Sequence, residues 1–363
     1  MSSTLYRKTW AEIDLDHLLE NFERAKRATR HGRIIPVVKA DAYGHGAVPV
    51  MRHLYAKGVR LCAVSLIEEA LELRERFADL DILLLGPVLA DQLEVCSAHD
   101  LIVTVYDAEF LSAVLSSSLP LRCHLKVDTG MSRYGLVDQN EIGQAIEGLK
   151  EKANVRLEGV YTHFSTADVD ETYYRKQLDR FTTILPLIDA GIAIHVGNSA
   201  AIFRYEKDYD FSTHARLGCS LYGLSAFPID PPLKGVMRLK SRIAQIRTVS
   251  KGSCVGYGAT YCPESEERIA ILPVGYADGF IRMNAGGDVE IHRKRYPLVG
   301  RICMDACFVR VDDTVRKGDI VTLFGGIVSV DEVAKRLDTI NYEVCTSVSK
   351  RVPRIYRKGS DGP

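Results

Sequence analysis

What this sequence lacks narrows its function before any motif is read. Neither charge is in excess: 47 basic residues face 47 acidic ones. No general affinity for nucleic acid or an anionic membrane is implied, so any phosphate bound would be held by local groups. No stretch of about 18 uncharged apolar residues occurs. The first residues, MSSTLYRKTWAEIDLD, carry charge from Arg7 onward without an apolar core. Neither a membrane span nor a secretory signal is expected, and the chain reads as cytoplasmic. The nine cysteines are odd in number and scattered, which argues for reduced thiols rather than a disulfide framework. Cys303 and Cys307 stand four apart, but no second Cys or His pair completes a tetrahedral site, so no metal is expected. GxGxxG is absent, and no internal repeat or low-complexity segment stands out beyond a strand-and-helix rhythm.

That rhythm gives the architecture. A chain of 363 residues can bury a large core and suits two domains better than one. Asp16 reads as the N-cap of an amphipathic helix from His17 to about Thr29. Strand-like apolar runs recur near 34–39, 61–65, 81–86, 101–105, 121–127, 155–162, 191–197 and 213–218. Helical patterns such as IEEALELRERF (67–77) and ETYYRKQLDRFTTILPLIDA (171–190) fill most of the gaps. Eight β-then-α units predict a (β/α)8 barrel. A doubly wound sheet would gather its ligand groups at one switch point. Here Lys39, Lys126, His163, Asn198-Ser199 and Arg216 close different predicted strands, as barrel sites do. The proline-rich FPIDPPLKG reads as a linker. It divides a barrel over 1–232 from a mostly antiparallel β domain over 233–363, with one helix near Val330 to Thr339. The closing KGSDGP is polar and reads as a frayed terminus.

The stretch IIPVVKADAYGHG (34–46) organises the rest. Its β-branched run reads as a buried strand delivering Lys39 into a glycine-flanked turn, where the backbone can pass close to a ligand. A lysine at such a place can lose enough basicity to attack carbonyls. VVKADAYGHG resembles the pyridoxal-phosphate signature of the bacterial alanine racemases, in which this lysine carries the cofactor covalently. KVDTGMSRYG, YTHFSTAD, GNSA, ARLGCSLYG, VGYGATY, VGYADG, GRICMDAC and TINYEVCTSVSKRVPR continue the resemblance over nearly the whole chain.

The resemblance implies a set of roles. Ser199, Gly218 and Cys219 bind the cofactor phosphate beside Asn198, helped by the hydroxyls of Tyr43 and Tyr342; barrels often bind phosphate on the loops after their last two strands. Arg216 faces the pyridine nitrogen, with His163 as neighbour. An arginine there does not give up its proton, which makes the ring a weaker electron sink than a carboxylate partner would. Arg133 meets the cofactor's phenolic oxygen and the substrate carboxylate. Lys126, in many family members carbamylated to N6-carboxylysine, positions that arginine; the modification turns a like-charge repulsion into an ion pair. Racemisation needs a base on each face of Cα, and Lys39 and Tyr257 fill these places. Met304 and Asp305 line the substrate carboxylate region, and Asp168, Tyr276, Arg282 and Arg301 line the access channel.

The resemblance also implies a homodimer in which Tyr257 of one subunit completes the site of the other, and an N-terminal segment, residues 1–14, that pairs with the second domain. The activity implied is interconversion of L- and D-alanine, supplying D-alanine for peptidoglycan. Crowding by Tyr257 and Tyr342 favours a methyl side chain, but sterics alone separate methyl from hydroxymethyl by only about 1–3 kcal/mol. A serine or broad-specificity racemase is therefore the same-fold alternative. A non-catalytic pyridoxal-phosphate-binding barrel is the other; VGYGATY and ICMDA argue against it, as Arg216 argues against the related decarboxylases.

Overall fold

The computed structural model describes residues 6–358; residues 1–5 and 359–363, which include most of the closing KGSDGP, lie outside them. Two compact units divide the chain. One comprises Leu19–Ala42 and Ala47–Leu233. The other comprises the described residues through Leu18, Tyr43–Gly46 and the chain from Lys234 onward.

Strand β1 (Thr9–Asp14) joins the sheet of the second unit. The first unit holds β2 (Ile34–Pro36), β3 (Leu61–Val64), β4 (Asp81–Leu84), β5 (Ile102–Val105), β6 (Leu121–Lys126), β7 (Val155–Tyr161), β8 (Ala193–His195) and β9 (Ala215–Leu217). Each lies within one of the eight apolar runs. β3 to β8 form a parallel sheet in chain order, and β2 pairs with β9. Backbone bonds close the ring: Val38 N–H donates to Ala63 O (2.9 Å), and Arg216 N–H to Gly197 O (2.9 Å). The result is the (β/α)8 barrel, with Val, Ile and Leu from these strands buried in its core.

Two helix ends differ from the sequence reading. The first helix runs Leu15–Ala28, and Asp14 rather than Asp16 caps it, accepting from His17 N–H at 3.0 Å. Strand β1 runs directly into this helix, so the residue ending the strand is the one facing the free N–H groups. The helix predicted over 171–190 holds for Glu171–Thr182 and gives way to a short 3-10 turn at Leu185–Leu187, where Pro186 cannot donate to a helical ladder.

The second unit is a nine-stranded, mostly antiparallel sheet. It contains β10 (Met237–Arg242), β11 (Gln245–Val249), β12 (Glu267–Leu272), β13 (Asp288–Ile291), β14 (Lys294–Val299), β15 (Cys307–Val311), β16 (Ile320–Phe324) and β17 (Arg354–Arg357) in the order β11-β12-β15-β14-β13-β16-β10-β1-β17. β1 runs antiparallel to β10, with Trp10 opposite Lys240, and parallel to β17, with Glu12 opposite Ile355. The buried Glu12 carboxylate meets Lys240 (3.0 Å) and Arg357 (2.8 Å), which lets a charge sit inside this sheet. No helix among the described residues is long and apolar enough to cross a membrane.

The cysteine reading needs correction. Cys254 and Cys262 form a disulfide, their Cα atoms 4.2 Å apart, while the other seven cysteines are free. Val255 and Tyr261 form an antiparallel bridge between them, which sets the flanking residues opposite one another. An odd, scattered count reveals nothing about such a local pairing.

Candidate active site

The site is built where barrel strands end. After β2 the chain does not continue into an ordinary turn. Ala40, Asp41, Ala42 and Tyr43 all have φ between 52 and 55°, a left-handed helical turn made of residues that individually resist it. Side chains hold it in place. The Glu69 carboxylate accepts from Ala40 N–H (2.6 Å), Ser65 N–H (2.8 Å) and Leu66 N–H (3.1 Å), and Asp41 accepts from Ala47 N–H (2.7 Å). This turn fixes Lys39 at the strand end. Burial lowers its pKa, the Arg133 cation lowers it further, and Glu69 opposes both, so the amine is more readily neutral than a surface lysine.

Lys126 ends β6 and is buried, its ammonium 2.7 Å from Val127 O and 5.5 Å from the Tyr161 ring centre. Burial, then the Arg216 cation, pull its pKa down to about 7, with Asp128 opposing. The loop that follows is shaped by Asp128, whose carboxylate accepts from the N–H groups of Gly130 (2.8 Å), Met131 (2.8 Å) and Arg133 (3.0 Å). Arg133 is thereby held at its backbone while its side chain stays exposed.

Arg216 is the middle residue of β9 and only 3% exposed. One terminal nitrogen donates to His195 O and to His195 Nδ1 (2.8 Å). The other donates to Thr162 O (2.6 Å), with Val196 O (3.4 Å) and His163 Nδ1 (3.3 Å) at longer range. Both histidines are held well below the usual imidazole range, first by burial and then by the arginine itself, so they accept as neutral rings. The chain of contacts continues from His195 Nε2 to His124 Nδ1 (2.8 Å), while Tyr161 stacks on His195 with ring centres 4.5 Å apart. Burial pulls Arg216 itself down to about 10, which leaves it a cation at neutral pH.

His195, His124, Glu69 and Asp128 were not singled out from sequence. His124 stands two before Lys126 on β6, and in a barrel strand i and i+2 share a face. That alternation was the available signal.

The loops expected to bind phosphate lie after β8 and around β9. Asn198 caps the helix Ser199–Arg204, accepting from Ala201 N–H (3.0 Å) and donating to Phe164 O (2.9 Å). The Ser199 hydroxyl accepts from Gly218 N–H (2.9 Å) and Ser220 N–H (3.4 Å), tying the two loops together beside the Cys219 thiol. Hydroxyl and backbone N–H groups converge here without a carboxylate, the donor set an anion requires.

The remaining predicted residues form groups in the second unit. Tyr43 and Tyr342 make an edge-to-face pair at 6.5 Å. Gly44, at φ +82°, passes so close to Cys345 that a Cβ would lie 2.4 Å from its carbonyl oxygen. Tyr257, 71% exposed, tops a short loop in which the Arg301 guanidinium lies against Gly258. Tyr276 N–H donates to Cys303 O (3.1 Å) and Ala277 N–H to Met304 O (3.1 Å), docking the Tyr276 turn on the Met304–Asp305 loop; the charge of Arg282 is felt at Cys303. Asp305 pairs with Arg351 (2.6 Å). Asp168 is set apart in the barrel unit. Its backbone carbonyl accepts from Arg204 (2.6 Å), and among the described residues no hydrogen bond ties its side chain to the strand-end groups.

These residues fit pyridoxal phosphate. Both terminal nitrogens of Arg216 are bonded to protein, but its Nε–H has no partner among the described residues. A ring nitrogen is an acceptor that such a fixed donor suits. Lys39 offers a readily neutral amine, and the Ser199–Gly218 cradle suits an anion. No group of three or more metal-ligating side chains occurs among the described residues.

Comparison with known proteins gives the same identity. The family model for the alanine racemase N-terminal domain matches residues 13–226, and that for the C-terminal domain matches residues 236–356. An alanine racemase of Halalkalibacterium halodurans is 42% identical, covering 97% of this chain and 95% of its own. The crystal structure of alanine racemase from E. faecalis superposes with a TM-score of 0.92 at 37% identity, over 98% of this chain and 100% of that one. That from Bacillus anthracis with bound L-Ala-P does so with a TM-score of 0.92 at 34% identity, over 99% and 97%. Barrel and β domain both match one family, and the chain is a member of the alanine racemases, the pyridoxal-phosphate-dependent isomerases that interconvert the enantiomers of alanine.

Proposed function

We propose that Lys39 and Tyr257 are the two proton carriers of this racemase, one for each face of the substrate Cα. Arg216, Arg133, His163 and the Ser199–Gly218–Cys219 cradle hold the cofactor, with Asn198, Tyr43 and Tyr342 in support. Bound there, pyridoxal phosphate supplies an electron sink for the charge left at Cα when its proton departs. The protein does the rest. Lys39, its basicity lowered by burial and by Arg133, takes or returns a proton on one face. The Tyr257 phenol serves the other, because a single group does not reach both sides of a planar centre. Arg216 donates a hydrogen bond through Nε without surrendering its proton, which restrains charge flow into the ring and favours return of the proton to Cα. Arg133, with Met304 and Asp305, orients the substrate carboxylate. Tyr276, Arg282, Arg301 and Asp168 line the approach.

The observation that carries this reading is electrostatic and geometric at once. Arg216 lies 3.3 Å from His163 Nδ1, and Arg216 and Lys126 lie 5.1 and 5.5 Å from the Tyr161 ring centre, which supports one shared site at the ends of β6, β7 and β9; the charges of Arg133 and Lys39 also bear on His163. Lys126, about half neutral near pH 7, is chemically ready to take up carbon dioxide, and as a carbamate it pairs with Arg133. The active form is a cytoplasmic homodimer, with Tyr257 of each subunit serving the other's site, and its D-alanine feeds peptidoglycan.

The test is solvent-deuterium exchange at Cα of each enantiomer. In Tyr257→Phe, exchange should fail for one hand preferentially. Equal loss for both hands would overturn the two-base assignment. Lys39→Ala should also lose the visible absorbance of lysine-bound cofactor that borohydride otherwise abolishes.

A further inference from the structure

The loop bearing Tyr257 is closed by the disulfide between Cys254 and Cys262. Between the two cysteines the loop has a single backbone bridge, Val255 N–H to Tyr261 O at 2.8 Å. Beyond that bridge Gly256, Gly258 and Ala259 all have positive φ, at 72, 75 and 46°. The tip is therefore a tight reversal with Tyr257 at its crest, 71% exposed. The base of the loop is anchored: Val255 packs with Ile269 and Val299, joined by Val249, Tyr261 and Phe308, and the Tyr261 hydroxyl donates to Glu267 at 2.5 Å. The crest has less support. Apart from the bridge and its own 3-10 turn at Tyr257–Ala259, it rests on Phe308 at Gly256 and on the Arg301 guanidinium at Gly258. The disulfide closes the mouth of the loop, and the anchored Val255–Tyr261 pair stands between it and the crest. Both of its cysteines are exposed in this chain, within reach of thiol exchange.

We propose that Cys254 and Cys262 are redox-dependent positioning residues for Tyr257. This rests on the reading of Tyr257 as the second base. Closed, the S–S bond fixes the span of the loop and keeps the phenol in one place. A dithiol reductant opens it: a thiolate attacks one sulfur, the S–S bond breaks through a mixed disulfide, and the reductant's second thiol completes the exchange. Two electrons and two protons end on Cys254 and Cys262, and the reductant leaves as its own disulfide. The opened loop keeps the Val255–Tyr261 bridge, the 3-10 turn at Tyr257–Ala259 and its base packing, but loses the covalent tie across its mouth. Tyr257 then samples positions away from the reacting carbon, and turnover falls. A proton carrier tolerates little displacement, since a misplacement of about 1 Å can cost roughly 100-fold.

The experiment equilibrates holoenzyme in buffers of defined reduced-to-oxidised dithiothreitol ratio. The fraction of disulfide is read by alkylation and mass spectrometry of the peptide spanning 254–262, and turnover is measured on both alanine enantiomers. Turnover should track the disulfide fraction, with kcat falling about tenfold on full reduction and KM little changed, within the scale that misplacement sets. Cα deuterium exchange should slow for one enantiomer only, whereas a general loosening of the fold would slow both. The double variant Cys254→Ser/Cys262→Ser should stay at the reduced level in every buffer. Full alkylation under oxidising conditions, or equal turnover in the two states, overturns the proposal. Tyr257→Phe in the same buffers separates the two ideas. If it loses turnover while redox state has no effect on the unsubstituted enzyme, only the latch fails. If it keeps full turnover, the second-base reading fails and takes the latch with it.

Discussion

The guanidinium of Arg216 has its terminal nitrogens bonded to the carbonyls of Thr162 and His195 and to neutral imidazoles, so it cannot swing away and its Nε–H keeps one direction. Arg216→Gln removes that donor and leaves buried carbonyls short of a partner. We expect kcat to fall by about ten- to hundredfold, the equivalent of roughly 1.5–3 kcal/mol for a charged hydrogen bond, together with a lower Tm in calorimetry. A folded variant with unchanged kcat would remove Arg216 from the chemistry. Lys126 makes a different kind of prediction. Its pKa is about 7 when folded and about 10.4 when unfolded, so between these values the unfolded chain holds more protons. Stability of the cofactor-free protein should therefore rise as pH climbs from 7 to 10, by a few kcal/mol at the outside, and the full penalty should apply below pH 7. Lys126→Met should flatten that rise in urea titrations. Carbamylation removes the same penalty by another route. In 13C-bicarbonate a carbamate carbon signal should appear by NMR and vanish in Lys126→Met; its absence from the unsubstituted enzyme would sink the modification.

The left-handed turn after Lys39 is a property of an element, and it reverses the usual sign of a substitution. In a right-handed helix Ala→Gly costs about 0.5–1 kcal/mol. Ala40 is exposed and sits at φ 52°, where a Cβ is unfavourable by about 1–2 kcal/mol, so Ala40→Gly should leave the urea midpoint unchanged or raise it. Gly44→Ala should lower it, with a loss of unfolding free energy of more than about 1 kcal/mol, because the new methyl would meet the Cys345 carbonyl. If both shift the midpoint the same way, the turn is not left-handed in solution. The barrel strands were legible because runs such as Ile34–Val38 and Ile102–Val105 are apolar on both faces and bounded by turn residues. The turn was not legible, since nothing in Ala-Asp-Ala-Tyr favours positive φ; Glu69, 29 residues on in the neighbouring β/α unit, holds it through the Ala40 N–H. The contact of His124 with His195 escaped for the same reason, being made between β6 and β8. Cys254–Cys262 escaped because the parity of a cysteine count is blind to a local bridge. The roles proposed for Lys39, Arg216 and Ser199 rest on motif resemblance, and the hydrogen bonds show how Arg216 and Ser199 are held.

At the scale of the whole molecule the question is which subunit supplies which base, and two inactive variants answer it. On the proposed two-base reading Lys39→Ala lacks one proton carrier and Tyr257→Phe the other, so each variant alone should turn over little. Subunit exchange between them makes heterodimers with two unlike sites if Tyr257 acts across the subunit boundary. One site then joins the defective barrel to the defective tyrosine, and the other joins an intact Lys39 to an intact Tyr257. Equal mixing places half of the subunits in heterodimers, each with one intact site of two, so specific activity should recover to about one quarter of the unsubstituted enzyme. If each chain completed its own site, every site in the mixture would carry one defect and nothing would recover. Recovery should also follow the rate of subunit exchange measured by native mass spectrometry, because only newly formed heterodimers contain an intact site. A mixture that exchanges fully yet stays inactive would place both bases in one chain, and the monomer would then be competent by itself.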